Sequence, residues 1–260
     1  MFRFWLPSAA LLVTLLGAAQ IGAWPGSQHV LDNGEAERWR AVGSLRMAGM
    51  SSCTAVLISQ TQALTAAHCV VDRATGVRVR LGYFTLVLGQ RPNGYAAVRK
   101  VRSVAFLPGF VSTEPISDYS DLSSDLALLQ LDRPVSADEA VPIEVADWPH
   151  PIGEFVDIVG YERDGPRSPT IRESCRAVES MDTVTVVTCS VITGISGSPV
   201  LLSDRPQDPP RLVASASSRG DGVAYVVSIA PHLAALRDLI SHHVSLTASA
   251  SRSVTEPAAR

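Results

Sequence analysis

Short apolar runs separated by turn residues are the main pattern along this chain. Between residues 77 and 81, apolar and basic side chains alternate, which is typical of a strand with one buried face. Glycine and proline interrupt the runs, as at 92–94 and 108–109. Many short strands at regular spacing favour a sandwich or a barrel. The predicted strands are 55–58, 63–66, 77–81, 84–88 and 98–106 and, after a proline-rich connector at 132–151, 155–159, 184–187, 199–202, 212–216 and 224–228.

One helix is predicted, near the end of the chain. Pro231 suits its first turn, and the spacing of about 3.6 residues brings four apolar side chains onto one face: Leu233, Leu236, Leu239 and Ile240. The stretch 245–260 is small, polar and aperiodic, so we expect a disordered tail there.

The first residues have the features of an export signal. Arg3 precedes an apolar run, and the small residues at 17–19 suit a signal peptidase. A retained membrane anchor is the alternative, but the apolar core at 9–19 is short against the ~20 residues that span a bilayer. We expect a cleaved signal at 1–19, a secreted or periplasmic protein, and no stable membrane association after cleavage.

The cysteines agree with export. Four cysteines form an even set, which suits disulfides in an oxidising compartment. Three pairings are possible, and the two short-range ones, Cys53–Cys69 and Cys175–Cys189, are the natural expectation. The chain has no Cys-x-x-Cys or His-x-x-x-His spacing, so we expect no metal and no cofactor.

Length and charge narrow the class of protein. The 260 residues suffice for two modest domains, each with its own core. A formal net charge of −3 gives no basic footprint, so nucleic acid is not expected as a partner.

Three segments carry candidate chemistry, and the first surrounds His68. A neutral imidazole can take a proton from a hydroxyl and return it to a leaving amine. His68 follows a predicted strand, between the small residues Ala66 and Ala67 and Cys69, which is expected to form a disulfide. That setting would hold the ring rigidly and leave it room.

The second segment begins at Asp125, directly before the apolar run 126–131. An acid in this position is poorly placed for solvation, so its expected use is to accept a hydrogen bond from His68 and fix the ring's tautomer. A solvated loop acid is the alternative, and it suits Asp118 and Asp121 better.

The third segment is the glycine-serine turn at 193–199, with Ser196 between Ile195 and Gly197. Glycines allow close backbone approach and turn conformations with outward N–H groups. The N–H groups of Gly194 and Ser196 could therefore bind a developing oxyanion.

Together the three segments resemble the trypsin-like serine peptidases. The chain carries the family's Thr-Ala-Ala-His-Cys at 65–69, its Asp-Leu-Ala-Leu-Leu at 125–129 and its Gly-x-Ser-Gly-x-Pro at 194–199. The resemblance implies an all-β fold of two antiparallel Greek-key barrels, at 27–135 and 136–244, the second including the terminal helix. It also implies a monomeric endopeptidase that acts on protein or peptide substrates through an acyl-enzyme, with His68, Asp125 and Ser196 as the catalytic triad.

Departures from the family pattern favour one branch. Animal digestive members have an aspartate before the nucleophile, where this chain has Ile195, and the chain contains no Arg-Ile-Val-Gly-Gly activation site. Ile195 and Cys189 are more similar to the bacterial branch that includes the staphylococcal glutamyl endopeptidase.

The resemblance places Ser190 at the base of the primary specificity pocket and Ser217 on its lining. A serine at 190 supplies no charge for a Lys or Arg substrate. Val191 stands where glutamyl-specific relatives have a threonine, and the segment Ser215-Ala216-Ser217 stands where they have a histidine. Arg219 could reach the pocket, but a position in the hairpin turn facing water is the simpler expectation. We therefore expect cleavage after uncharged residues.

Two other readings compete with a peptidase. An α/β-hydrolase esterase requires Gly-x-Ser-x-Gly and the order Ser, Asp, His, whereas this chain has Ser198 at the last glycine and the reverse order. A catalytically inactive peptidase homologue that serves as a binding module remains the alternative.

Overall fold

The structure is a computed structural model, which describes residues 27–48, 50–72, 79–110, 119–202 and 208–253. The predicted signal at 1–19 lies outside these residues. The strands are β1 Gln28–Val30, β2 Val42–Met47, β3 Met50–Ser59, β4 Gln62–Thr65, β5 Phe84–Leu88, β6 Ala97–Phe106, β7 Ala127–Leu131, β8 Phe155–Gly160, β9 Thr170–Met181, β10 Val184–Val187, β11 Pro199–Leu202, β12 Arg211–Gly220 and β13 Val223–Ser228. The α-helices are α1 Tyr119–Ser123 and α2 Ala230–Ser253.

The first barrel consists of six antiparallel strands closed in the order β2-β3-β4-β7-β6-β5. Strand β6 illustrates how the sequence builds it. Ala97 and Val101 are buried, whereas Lys100 and Arg102 between and beyond them are exposed. Because successive side chains of a strand point to opposite faces, this alternation directs these apolar side chains into the barrel interior and these charged ones towards solvent.

The second barrel has the strand order β9-β10-β13-β12-β11-β8, and the pairing of β8 with β9 closes it. Its core is apolar and includes Val156, Val200, Val213 and Val226. Two closed antiparallel barrels followed by a helix confirm the predicted all-β fold and exclude a sandwich.

Strand β1 differs from the predicted boundaries. The prediction counts residue 27 onward in the first barrel, but β1 pairs with β9 of the second barrel. The backbone N–H of Leu31 continues the contact by donating to the carbonyl of Pro169, at 2.9 Å. A strand of three exposed residues has no hydrophobic alternation, so the sequence contains nothing that identifies its partner.

The terminal helix is longer than predicted. It extends to Ser253, so residues 245–253 are helical rather than a disordered tail, and 254–260 lie outside the described residues. No glycine or proline interrupts 232–253, and its alanines and leucines favour a helix. Leu236 and Ile240 are buried in the core of the first barrel, where α2 packs on β6 and β7. The prediction grouped this helix with the second barrel.

The alternating segment at 77–81 is not a strand where the structure describes it. Leu81–Tyr83 forms a 3₁₀ turn, closed by a hydrogen bond from the Tyr83 N–H to the Arg80 carbonyl. β5 pairs with β2 and β6 and so completes the barrel without this segment. In the described part of the chain, no helix is both long and apolar enough to span a membrane.

Candidate active site

His68 lies in a 3₁₀ turn, Ala67–Cys69, that directly follows β4. The adjacent Cys69 is bonded to Cys53 of β3, which confirms the first predicted disulfide. Ala66 and Ala67 are fully buried, so their small side chains let the turn pack against the barrel. His68 itself is only 6% exposed. The ring is therefore held at the end of the barrel by its neighbours in sequence.

Asp125 meets His68 because β4 and β7 are antiparallel partners. Thr65 at the end of β4 pairs with Ala127 at the start of β7, which brings the residues beyond them to the same end of the barrel. Oδ2 of Asp125 lies 2.7 Å from Nδ1 of His68, and Oδ1 accepts the backbone N–H of His68 at 2.9 Å. A carboxylate at Nδ1 holds the proton there and leaves Nε2 free to accept one.

Ser217 supplies a further hydrogen bond to the same carboxylate. Its hydroxyl, on β12 of the second barrel, donates to Oδ2 of Asp125. Burial alone would raise the pKa of Asp125, but the charge of His68 and the hydrogen bonds from His68 and Ser217 outweigh it and lower the pKa. Sequence analysis expected Ser217 in the substrate pocket and missed this contact. The one feature of the sequence that could have indicated this contact is a serine within a buried strand.

The turn that carries Ser196 is pressed against the first barrel. Gly194 and Gly197 have φ of +105° and +80°, values that favour glycine. A Cβ at Gly197 would collide with the carbonyl of Thr54. The carbonyl of Ser196 accepts the N–H of Thr54 at 2.8 Å. Since Thr54 adjoins Cys53, the Ser196 turn contacts the strand that the disulfide ties to the His68 turn.

The backbone around Ser196 leaves two donors unused. In the described part of the chain, the N–H groups of Gly194 and Ser196 donate no hydrogen bond, whereas those of Ile195, Gly197 and Ser198 all do. Ser196 is partly exposed. Unpaired N–H groups of a serine and of the residue two positions before it can bind an oxyanion that forms at a carbonyl attacked by that serine.

A buried ion pair lies behind this turn. Arg172 of β9 is 1% exposed, and its Nη2 lies 3.1 Å from Oε1 of Glu162. Its Nε donates to the carbonyl of Ser190 at 2.6 Å. Burial lowers the pKa of Arg172, and Glu162 opposes that shift. The pair therefore links the segment before Ser196 to the end of β8.

The residues around Glu162 also support Gly194. A Cβ on Gly194 would collide with the backbone of Tyr161 and Arg163, and the Arg163 N–H donates to the carbonyl of Thr193 at 2.9 Å. Sequence analysis missed Arg172 and Glu162 altogether. Thr170, Ile171 and Arg172 are buried in succession, since β9 lies between β8 and β1, and this removes the alternation that would distinguish an inward arginine.

The residues predicted to form or approach the specificity pocket differ in their exposure to solvent. Ser190 is exposed, next to Cys189, whose bond to Cys175 confirms the second predicted disulfide. Ser217 is 5% exposed and its hydroxyl is engaged by Asp125. Arg219 is exposed near the end of β12, as expected for a hairpin position.

One cluster in the described part of the chain has the composition of a metal site. The side-chain ligand atoms of Cys53, His68 and Cys69 lie within 4.8 Å of one another. The two sulfurs are joined in a disulfide, so neither can serve as a thiolate ligand. The chemistry of this donor set does not fit a metal ion.

Comparison with known families gives one match over most of the chain. Residues 30–221 match the family model described as Trypsin. The chain is 28% identical over 208 residues to mouse Serine protease 56, covering 71% of this chain and 33% of that protein. It is 30% identical over 134 residues to human granzyme M, covering 51% of this chain and 48% of that protein. The chain thus spans about a third of the length of mouse Serine protease 56.

A solved structure shares the fold. A Glu endopeptidase in complex with MPD superposes with a TM-score of 0.66 and 17% identity, covering 84% of this chain and 96% of that one. At this identity the likeness concerns the fold alone. The sequence relatives are animal proteins, so the comparisons do not assign the chain to a bacterial branch.

Proposed function

The chain belongs to the trypsin family of serine peptidases, and from that premise we propose that it hydrolyses peptide bonds in proteins through an acyl-enzyme on Ser196. The observation that carries the proposal is the buried carboxylate of Asp125, which holds His68 through both Nδ1 and the backbone N–H. Such a contact has little use in a binding module, whereas a general base requires a fixed tautomer.

In the proposed reaction, Oγ of Ser196 attacks the scissile carbonyl carbon while Nε2 of His68 takes the hydroxyl proton. The C–N bond then breaks, and His68 gives that proton to the leaving amine. Water repeats the sequence on the acyl-enzyme: His68 takes a proton from water as the new C–O bond forms, the ester bond between the acyl carbon and Oγ of Ser196 then breaks, and Oγ recovers its proton from His68. The N–H groups of Gly194 and Ser196 would bind the oxyanion, and each such donor typically contributes ~3 kcal/mol.

We propose cleavage after uncharged residues. Ser190 presents a hydroxyl and no charge at the expected base of the pocket. The charge of Arg172, bonded to the Ser190 carbonyl, is balanced by Glu162. Arg219 is exposed to solvent. A neutral pocket base gives neither an acidic nor a basic substrate side chain a charge partner.

Residues of this chain also support a peptidase that is not activated, as the digestive enzymes are, by a newly cut N-terminus. Ile195 is 1% exposed in the second core and cannot receive a newly cut N-terminus as an aspartate would. We propose that the buried pair of Arg172 and Glu162 orders the Ser196 turn instead. These features support our proposal that the chain is nearer to the bacterial branch than to the digestive enzymes.

Export is part of the proposal. Two disulfides in the described chain suit an oxidising compartment. We propose a monomer that is secreted or periplasmic after removal of residues 1–19, with protein or peptide substrates and no nucleic-acid partner.

The test is a cleavage profile on a peptide library, with the purified protein and its Ser196→Ala variant. We expect wild-type cleavage mainly after uncharged residues and a loss of several orders of magnitude in the variant. Turnover that survives Ser196→Ala contradicts the assignment of the nucleophile. A profile dominated by Lys and Arg, or by Glu and Asp, contradicts the specificity alone. A wild-type protein without any activity favours the binding module.

A further inference from the structure

A pocket of about 630 Å³ lies on the first barrel and includes none of the residues of the candidate active site. Its lining residues come from β2, β5 and β6, from the turn that follows β5, and from the loop before β9. Three arginines line it, Arg46, Arg91 and Arg167, and no acidic side chain does. The chain as a whole has a net charge of −3, so this pocket is a local reversal of its charge.

Two of the three guanidiniums lack a carboxylate partner. Arg91 binds Glu37 at 2.7 Å, but Glu37 also binds Arg40 at 2.8 Å and so serves two arginines. Within the described residues, the guanidinium of Arg46 donates a hydrogen bond only to the side-chain oxygen of Gln90, and that of Arg167 forms neither a hydrogen bond nor an ion pair. The pocket therefore keeps an excess of positive charge, in planar groups whose geometry suits carboxylates.

One side chain, that of Gln90, bonds the side chain of Arg46 and the backbone of Arg167. Gln90 accepts from Arg46 through Oε1 and donates through Nε2 to the carbonyl of Arg167 at 3.1 Å. Its own carbonyl accepts the hydroxyl of Tyr161 at 3.0 Å. Gln90 thereby ties a turn of the first barrel to the loop before β9 of the second, and Arg46 and Arg167, one from each of these parts, line the same pocket.

The remaining lining indicates the size and character of the occupant. Val87, Pro92 and Val98 give the pocket apolar sides, and Tyr95 at its rim is 60% exposed. A single small anion would need neither this volume nor apolar contacts. A peptide with carboxylates next to apolar side chains would use both.

We propose that this pocket binds an acidic, partly apolar peptide segment of a protein. The binding site itself does not depend on catalysis. The additional claim that the segment belongs to a protein substrate rests on the proposed function. The segment would then add affinity away from the cleavage site, since two linked contacts raise the effective concentration of the second.

Binding is tested on the full chain with Ser196→Ala, so that no probe is cleaved. The probe is a short fluorescein-labelled peptide of glutamates and leucines, followed by anisotropy, and a peptide with glutamines in place of the glutamates is its control. We expect saturable binding of the acidic probe that weakens with added salt. Arg46→Ala and Arg167→Ala should each weaken it about tenfold, the scale of a charge-assisted hydrogen bond.

Arg237→Ala is the matched control because Arg237 is an exposed arginine on α2 and its loss changes the net charge equally. An equal loss of binding in this variant would contradict the proposal, as would binding of the glutamine peptide. Inorganic phosphate that displaces the probe at the probe's own concentration would reduce the site to a small-anion site. Thermal unfolding of each variant verifies that Arg46→Ala has not disturbed the barrel.

The substrate claim has its own readout on the active protein. Two matched substrates are compared, one with an acidic, leucine-containing tail and one without. Arg46→Ala should raise KM for the tailed substrate about tenfold, leave kcat unchanged, and have no effect on the short one. If binding is present but KM does not change, the segment comes from a protein other than the substrate. If no substrate is cleaved at all, the proposed function fails while the anisotropy result stands.

Discussion

The residues that hold His68 come from neighbouring strands of the first barrel, whereas those that hold the Ser196 turn come from distant parts of the chain. Asp125 reaches His68 through the pairing of β4 with β7, and Cys53 reaches Cys69 from the adjacent strand. The Ser196 turn instead depends on Thr54 of the other barrel and on the segment around Glu162.

The two regions also differ in how charge is buried. In the first, one carboxylate faces an imidazole that can gain or lose a proton. In the second, Arg172 and Glu162 form a permanent ion pair that touches no reacting atom. We therefore propose that the first region carries the proton transfer and that the second holds the backbone that would receive the oxyanion. Four sets of substitutions separate the two roles.

The largest expected effect is on the first region. Asp125→Asn keeps the shape of the side chain but removes the charge and allows the wrong tautomer of His68. We expect kcat to fall about 10⁴-fold. The melting temperature should change far less than the activity, because the amide can still accept the backbone N–H of His68. A kcat within tenfold of the wild type would contradict the role given to Asp125.

The second region should respond in stability as well as in activity. Arg172→Met leaves Glu162 largely buried without its partner, which typically costs about 3–5 kcal/mol of unfolding free energy. Denaturant unfolding measures this loss. Adding Glu162→Gln should restore part of it, because the uncompensated charge is then gone. Arg176→Met, an exposed position on the same strand, is the control.

The two disulfides allow a direct comparison of the regions. They close segments with sequence separations of 16 and 14, and each should contribute ~3 kcal/mol by restricting the unfolded chain. Replacing either pair with serines should therefore cost similar stability. Loss of Cys53–Cys69 should lower kcat more, since it frees the turn that carries His68. If the loss of either disulfide lowered kcat equally, the Cys53–Cys69 bond would have no special role in holding His68.

Ser217→Ala should have the smallest effect, about 1 kcal/mol of stability at neutral pH, because it deletes one hydrogen bond to Asp125. The lowered pKa of Asp125 contributes stability that is present above the ordinary aspartate pKa and is lost as pH falls through the lowered folded value. The difference between variant and wild type should accordingly shrink below pH ~4. A difference that stays constant in acid would exclude the link to Asp125.

The same contrast explains what the sequence could predict. His68, Asp125 and Ser196 each lie in a contiguous motif next to a strand, and local alternation identified most strands. The bond from Ser217 to Asp125 joins residues 92 positions apart, and Arg172 pairs with Glu162 across the loop that joins β8 to β9, so the alternation within a single strand indicates neither contact. The assignment of β1 to the first barrel was wrong for the same reason, because its partner β9 lies far along the chain. The arginine pocket likewise brings together residues from both barrels.

The most direct test of the central claim is labelling with a fluorophosphonate probe, which reacts only with an activated serine. The native protein is treated with the probe, digested and mapped by mass spectrometry, beside Ser196→Ala and His68→Ala. We predict a single adduct on Ser196 in the wild type and none in either variant. An unlabelled native protein, or an adduct that persists without His68, would contradict a Ser196 nucleophile activated by His68 and Asp125.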